Sequence, residues 1–431
     1  MFKLQEANTS VRTELSAGLT TFLTMVYIVI VNPVVLSSAG VPFEQVFTAT
    51  IISAVIGTLW MALAANYPVA IAPGMGLNAY FAVICSQEGI TYTTAFSAVF
   101  IAGLIFLVLS LTSFREKLIE AIPDSLKNAI TTGIGLFIAF IGLRNANIIV
   151  DDPTNLVKLG DLTEPGTFLT IVGLAITLLL MALRINAALF LGMIATAIIA
   201  LCTGQLSFKE GFFSFPSLPE GLIVFNPITA LNDVITHGLY AVVFSFLLVT
   251  IFDTTGTMVG VAQKAGLMKD GKMPRLRQAL LSDSFGTTFG AMFGTSPTTA
   301  FVESSSGVAA GGRTGLTTLT VGILFIVAAF FSPLVGAVSG IAAITSPALI
   351  IVGSLMMESV AKIEWKELDE AFPAFLVILS MPLTSSIATG IALGFISYPL
   401  IKLVKGKGKN VHPLVYIFAL LFFIQLMFFS H

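Results

Sequence analysis

A chain of 431 residues that is 56% hydrophobic and only 10% charged, with a mean hydropathy of +0.97, has too little polar surface to be a water-soluble globule. Its formal charge of −2 gives no reason to expect nucleic acid as a partner. The two cysteines, Cys85 and Cys202, lie far apart in apolar stretches, which argues against a disulfide framework and a cysteine metal site.

The start, from Met1 to Gly18, is polar and carries acids, and no small-residue cleavage site follows the first apolar run. That run therefore reads as a first membrane span with an intact N-terminus before it. About 20 apolar residues cross a bilayer as a helix. On that ruler the first half holds spans near 17–36, 46–66, 94–112, 124–143, 167–184 and 187–203, with a shorter, Gly-interrupted third member at 70–86. The second half repeats the series near 237–259, 280–294, 297–310, 316–333, 337–357, 371–382 and 384–404, again with a short third member rich in small polar residues. A fifteenth apolar segment, 411–429, closes the chain.

The predicted fold class is thus an all-α membrane protein with 14 transmembrane segments as 7+7 repeats. An odd number of spans per half forces opposite insertion, the inverted-repeat plan of many secondary transporters. Ala39-Gly40 after the first span falls on Ala265-Gly266 after the eighth, 226 residues further on, and the same offset lays Asn78 beside Glu303 and Ser304. Ala-Gly pairs are common, so coincidence is the competing explanation.

Lys and Arg in short loops favour the cytoplasm. With Lys3 and Arg12 inside, the remaining inside loops hold Arg115 and Lys117, then Arg184, then Lys264, Lys269, Lys272, Arg275 and Arg277, and finally Lys402, Lys405, Lys407 and Lys409. The long loops 144–166 and 204–236, with Asp151, Asp152, Asp161, Glu164, Glu210, Glu220 and Asp233, fall outside. One inside loop, 358–370, is acid-heavy, with Glu358, Glu364, Glu367, Asp369 and Glu370 beside Lys362 and Lys366. The expectation is a multi-pass protein of the cell membrane with a cytoplasmic N-terminus.

The two short third members carry the sharpest local signal. They read Ala72-Pro73-Gly74-Met75-Gly76-Leu77-Asn78-Ala79-Tyr80, and Gly294-Thr295-Ser296-Pro297-Thr298-Thr299-Ala300-Phe301-Val302-Glu303-Ser304 running on to Gly307. Pro removes a backbone donor and Gly admits extended or left-handed geometry, so each piece should begin non-helical and turn into a half-helix. Bare backbone at that depth is tolerated only inside protein or along a wet cavity, where half-helix N-termini make a polar ligand site. A kinked packing helix explains either piece alone; paired positions and an acid in one of them favour the site.

Asp253 and Glu303 are carboxylates at membrane depth, flanked by Gly, Ser and Thr rather than Leu and Ile. An ionised group costs several kcal/mol there, so such acids hold something polar or carry protons. Asp253 and Thr257 are four apart and share a helical face, with Thr254 beside them. No Lys or Arg is expected at matching depth to neutralise them. His237 should be interfacial, with His412 and His431 near the C-terminus; three His and two Cys build no metal site. Ser304, Ser305 and Ser306 have no His nearby for a nucleophilic triad, and Gly74-Met75-Gly76 is too short for a nucleotide loop, so neither an enzyme nor a cofactor is expected.

At these residues the chain resembles the AzgA-like purine permeases, nucleobase:cation symporter-2 type transporters with the uracil permease fold. The carriers are Pro73 to Phe81, Phe252-Asp253-Thr254-Thr255-Gly256-Thr257, Gly294 to Ser304, Pro373-Ala374-Phe375 and Ile387 to Tyr398, and the likeness runs nearly end to end. It implies a core domain (1–112 with spans one to four, 237–333 with spans eight to eleven) and a gate domain (113–203 with spans five to seven, 334–404 with spans twelve to fourteen). Residues 405–431 follow as a basic loop and hydrophobic tail. It also implies a protein that is often dimeric in the bilayer, with proton-coupled uptake of hypoxanthine, guanine or adenine.

Carried over by position, the substrate set is Gly74, Asn78, Asp253, Thr254, Thr257, Phe301, Val302, Glu303 and Ser304, with Asp253 and Glu303 coupling the proton and Phe301 stacking on the base. Thr257 stands where the uracil branch has a histidine, which removes any His-dependent coupling scheme. The physics agrees: a purine is a flat ring edged with N–H donors and N or O acceptors, suited to carboxylates, an amide and an aromatic face. Rival readings are an anion carrier of the same fold, which two acids disfavour, a sodium-coupled nucleobase transporter, and a channel, which would want rings of polar residues.

Overall fold

The computed structural model describes residues 2–85, 90–112, 121–208, 211–216, 223–268 and 273–428. Arg115, Lys117, Glu210, Glu220, Lys269, Lys272 and His431, named above, lie outside the described residues, as does the side chain of Phe252.

The first half runs α1 (Val11–Met25), α2 (Ile28–Ser37), α3 (Phe43–Trp60, extended by a wide turn to Ala65), β1 (Ile71–Pro73), α4 (Met75–Cys85) and α5 (Tyr92–Leu111). After these come α6 (Asp124–Asn145), the hairpin β2 (Ile149–Asp152) and β3 (Leu156–Leu159), α7 (Pro165–Ala182) and α8 (Ala188–Cys202). The second half runs α9 (Ala230–Thr236), α10 (Tyr240–Lys264), α11 (Leu276–Phe293), β4 (Thr298–Ala300), α12 (Ser304–Ala309) and α13 (Gly315–Ala328). It ends with α14 (Ser332–Ser339), α15 (Ala342–Met356), α16 (Leu368–Leu383), α17 (Ile387–Val404) and α18 (Pro413–Phe428).

Nine helices among the described residues are long and apolar enough to cross a membrane, the pairs α1–α2 and α13–α14 each counting as one. The protein is an all-α membrane protein. Helix α11 is not among the nine because it is too polar, and its Ser282, Asp283, Ser284, Thr287 and Thr288 are buried where it packs on α3 and α5. Loop 144–166 forms the β2–β3 hairpin, which the sequence reading left without structure. Its turn is closed by Asp152, whose Oδ1 accepts from the backbone N–H of Thr154 at 2.9 Å and of Asn155 at 2.8 Å. His237 is not the start of a span but the residue that ends α9.

The repeat is visible in the backbone. After α2 the Val41 N–H donates to Leu36 O at 3.4 Å, with Gly40 at φ +86°; after α10 the Leu267 N–H donates to Ala262 O at 2.9 Å, with Gly266 at φ +68°. Both helices end in the same glycine-dependent motif, 226 residues apart. The strands of the two halves pair antiparallel, Ile71 with Ala300, Ala72 with Thr299 and Pro73 with Thr298, as opposite insertion demands.

Helices α1–α5 and α10–α13 pack chiefly on one another, with α11 against α3 and α5, and α13 against α1 and α3. A second group forms around α6, which lies against α15 and α16, while α7 pairs with α8 and α16 with α17. Contact between the groups is sparser, where α6 meets α4 and α10, α8 meets α1 and α17 meets α10.

Buried charged groups have defined partners. Glu14, wholly buried, accepts from the backbone N–H of Arg313 at 2.9 Å and of Thr314 and Thr317 at 3.2 Å, so a carboxylate on α1 caps the start of α13. Asn66 and Tyr67 reach Gly315 and Pro274 at the same end. The acid-heavy loop also has its partners: buried Asp369 meets Lys402, Lys405 and Lys407, and Lys402 holds Glu370 at 2.6 Å. The ammonium groups of Lys402 and Lys405 keep the Asp369 carboxyl well below the ordinary range.

Candidate functional site

The site is built on the crossing of β1 and β4. Neither strand belongs to a wide sheet, so each outer backbone group needs another partner at membrane depth. Threonines of flanking helices supply them: the Ile71 N–H donates to Thr58 Oγ1 at 3.1 Å, and the Thr298 N–H to Thr287 Oγ1 at 3.0 Å. The ladder extends through Gly74 N–H to Pro297 O at 2.9 Å and Phe301 N–H to Ala70 O at 3.0 Å. Gly74 leaves little room for a side chain, since a Cβ there would lie 3.0 Å from the Thr299 side chain, which would have to shift.

Two further braces are repeat counterparts of each other. Ser296 donates to Asn78 Oδ1, and the Ala70 N–H donates to Ser304 Oγ at 3.0 Å; the same 226-residue shift carries Asn78 onto Ser304 and Ala70 onto Ser296. Asn78 is fully buried, and its Nδ2 has no partner among the described residues.

Asp253 sits midway along α10 with the Thr299 hydroxyl facing its carboxylate, and Glu303 is near enough for the two acids to interact electrostatically. Tyr27, between α1 and α2, donates its hydroxyl to Glu303 Oε1 at 2.7 Å. No lysine or arginine forms an ion pair with Asp253 or Glu303 among the described residues. A cleft of about 20 Å³ beside Asp253 is lined by Gly76 and Leu77 of α4, Ile130, Thr131 and Ile134 of α6, Val249 of α10 and Met356 of α15. That is room for about one water molecule.

The other sequence candidates are placed as follows. Thr254 is buried and turns from the cleft, donating to Asp283 Oδ2 at 2.5 Å and accepting from Ala300 N–H at 3.4 Å. Phe301 is buried in the main apolar core, Val302 is 58% exposed, and Thr257 is half-buried one turn beyond Asp253. Sequence reasoning missed Asp283, a fully buried acid, which also accepts from Thr298 Oγ1 at 2.7 Å and so ties α10, α11 and β4 together. It missed Tyr27 too, although a signal existed: the 226-residue offset places Tyr27 on Asp253 and Leu77 on Glu303.

A permease-family model, Xan_ur_permease, matches residues 12–393. The chain is a member of that permease family. This permease is 70% identical over 429 residues to the guanine/hypoxanthine permease PbuO of Bacillus subtilis, covering 99% of each chain. It is 45% identical to the adenine permease AdeP of Escherichia coli, covering 99% of this chain and 95% of that one. Among solved structures, the transmembrane domain of the cyanobacterial bicarbonate transporter BicA superimposes with a TM-score of 0.63 at 15% identity, over 88% of this chain and 97% of that one. At that identity the likeness shows the fold alone. The permease is a multi-pass membrane transporter, with the inverted repeat seen in its backbone.

Proposed function

We propose that this permease imports purine nucleobases, with hypoxanthine, guanine or adenine as cargo, by proton symport across the cell membrane. The observation that carries the reading is that Asp253 and Glu303 interact beside the strand crossing with no cation paired to either among the described residues. Each acid takes a hydroxyl from the protein, Thr299 or Tyr27, and keeps acceptor capacity for ring N–H groups. The named relatives, guanine/hypoxanthine and adenine permeases, support the cargo class. An anion carrier is disfavoured because two carboxylates would repel its cargo.

A cleft of about 20 Å³ is far too small for a purine, so loading requires the helices around it to separate. The group around α6 and α15 serves as the gate (113–203 and 334–404). The group holding both strands serves as the core (1–112 and 237–333). Rocking of one against the other exposes the site alternately to each side. The N-terminus lies in the cytoplasm, at the end where Glu14 caps α13. Within the site, Glu303 chiefly binds the base and Asp253 chiefly carries the proton.

Uptake of radiolabelled hypoxanthine, guanine and adenine into cells lacking purine transport, with and without a protonophore, tests the reading. Accumulation above background that the protonophore abolishes is expected. Accumulation that follows a sodium gradient instead would move the coupling to sodium, and no uptake of any of the three would end the purine assignment.

A further inference from the structure

The hydroxyl of Tyr27 is held in a place that the helix has to be deformed to provide. Between α1 and α2 the regular ladder gives way to tighter bonds, with Val29 N–H donating to Val26 O and Ile30 N–H to Tyr27 O, both at 3.0 Å. Pro33, one turn on, has no N–H with which to bond Val29 O in the regular pattern. A short tightened stretch inside a membrane helix often marks a functional position. Here it sets a tyrosine that is 1% exposed with its hydroxyl 2.7 Å from Glu303 Oε1.

Chain register gives a second, independent argument. Tyr27 is the repeat counterpart of Asp253, so the first helix of each half sends its residue at this position to the centre of the molecule. Asp253 meets Thr299 and is sensed by Glu303; Tyr27 meets Glu303 directly. The two residues flank the crossing from opposite helices, and neither is tied to a cation among the described residues.

We infer that Tyr27 is a positioning residue of the substrate site, whose hydroxyl clamps one oxygen of Glu303 and presents the other to a ring N–H of the cargo. The inference rests on the purine-permease reading above. A glutamate has three side-chain torsions, and a free one samples many orientations that would not meet a ring N–H. A donor on Oε1 selects the productive ones before the base arrives, so that less is lost on binding. Tyr27 thereby acts on affinity and not on the rate at which the loaded carrier turns over.

Tyr27→Phe removes the hydroxyl alone. Hypoxanthine uptake is measured as initial rate against concentration, normalised to the amount of protein in the membrane. The expected result is a KM raised about tenfold, the loss of one hydrogen bond to a charged group, with Vmax within about twofold of wild type. Thr24→Ala, which removes a hydroxyl bonded only to Thr20 O and Thr21 O on the same helix, should leave both constants unchanged. An unchanged KM in Tyr27→Phe, a fall in Vmax alone, equal changes in Thr24→Ala, or failure of Tyr27→Phe to reach the membrane would each overturn the assignment. Such a failure is separable from that of the purine reading: if wild type takes up hypoxanthine and Glu303→Gln does not, the reading stands while the role of Tyr27 falls. If wild type takes up none, both fall.

Discussion

In the first half a strand passes through Gly74 into a helix that carries Leu77 and Asn78; in the second a strand passes through Phe301 into a helix preceded by Glu303 and opened by Ser304. The backbones match, since each strand start is held by a threonine of the neighbouring helix and each half-helix reaches across to the residue before the other strand. The chemistry does not match. Where the second half has Asp253 and Glu303, the first has Tyr27 and Leu77. Shape is symmetric because both halves must shelter the same bare backbone from lipid, whereas on the proposed function charge is asymmetric because one flat ring needs acids along only part of its edge.

Removing the asymmetry is the harshest test. Glu303→Gln should lower hypoxanthine uptake by about a hundredfold, in line with the loss of a buried charged acceptor, and Asp253→Asn should abolish protonophore-sensitive accumulation. Full pH-driven accumulation in Asp253→Asn would refute the division of labour between the acids.

Asp369 is as buried as any residue in the protein, yet three lysines surround it, so its job is cohesion of α16 and α17. Asp369→Asn should cost roughly 2 kcal/mol at pH 7, less than the 3–5 of a fully buried pair because Lys405 and Lys407 keep contact with water. A carboxyl held low by its partners stabilises fully above the unfolded value of about 3.9 and loses that contribution as pH falls further. The difference in melting temperature between wild type and variant should therefore hold from pH 8 to pH 5 and shrink below about pH 4.

Gly76 tests how closely the two helix groups must approach. A Cβ there would lie 2.3 Å from Ile134 on α6, whereas its counterpart Val302 is exposed and has room for its side chain. Gly76→Ala should hold α4 and α6 apart and cut uptake about tenfold, an overpacking cost of 1–3 kcal/mol read as rate. The smallest effects belong to the matched braces. Asn78→Ala and Ser304→Ala should each lower thermal stability by about 1 kcal/mol, the worth of one hydrogen bond, and by similar amounts. A drop confined to one of them would break the equivalence of the halves.

Hydropathy alone placed the nine long apolar helices and the two interrupted segments, because about twenty apolar residues are needed wherever a helix meets lipid. It missed what does not face lipid. The span read at 280–294 contains Asp283, but the residue was not singled out there, and only packing of α11 between α3 and α5 shows it to be buried. Tyr27 sits in an apolar run as one aromatic among many, and its hydroxyl acquires meaning only because Glu303, 276 residues away, stands 2.7 Å off. The acid-heavy loop 358–370 looked at odds with its neighbours until its acids met Lys402, Lys405 and Lys407.

The amino-acid order by itself determined that the protein lives in a bilayer, that its halves repeat with opposite insertion, and that two acids sit where acids are costly. These follow from local composition and chain register, which need no partner to be read. Tertiary structure alone decided which hydroxyl faces which carboxylate, which candidates brace the crossing, and how little space remains beside Asp253. Those depend on side chains hundreds of residues apart meeting within a few ångströms, a distance that spacing along the chain does not encode.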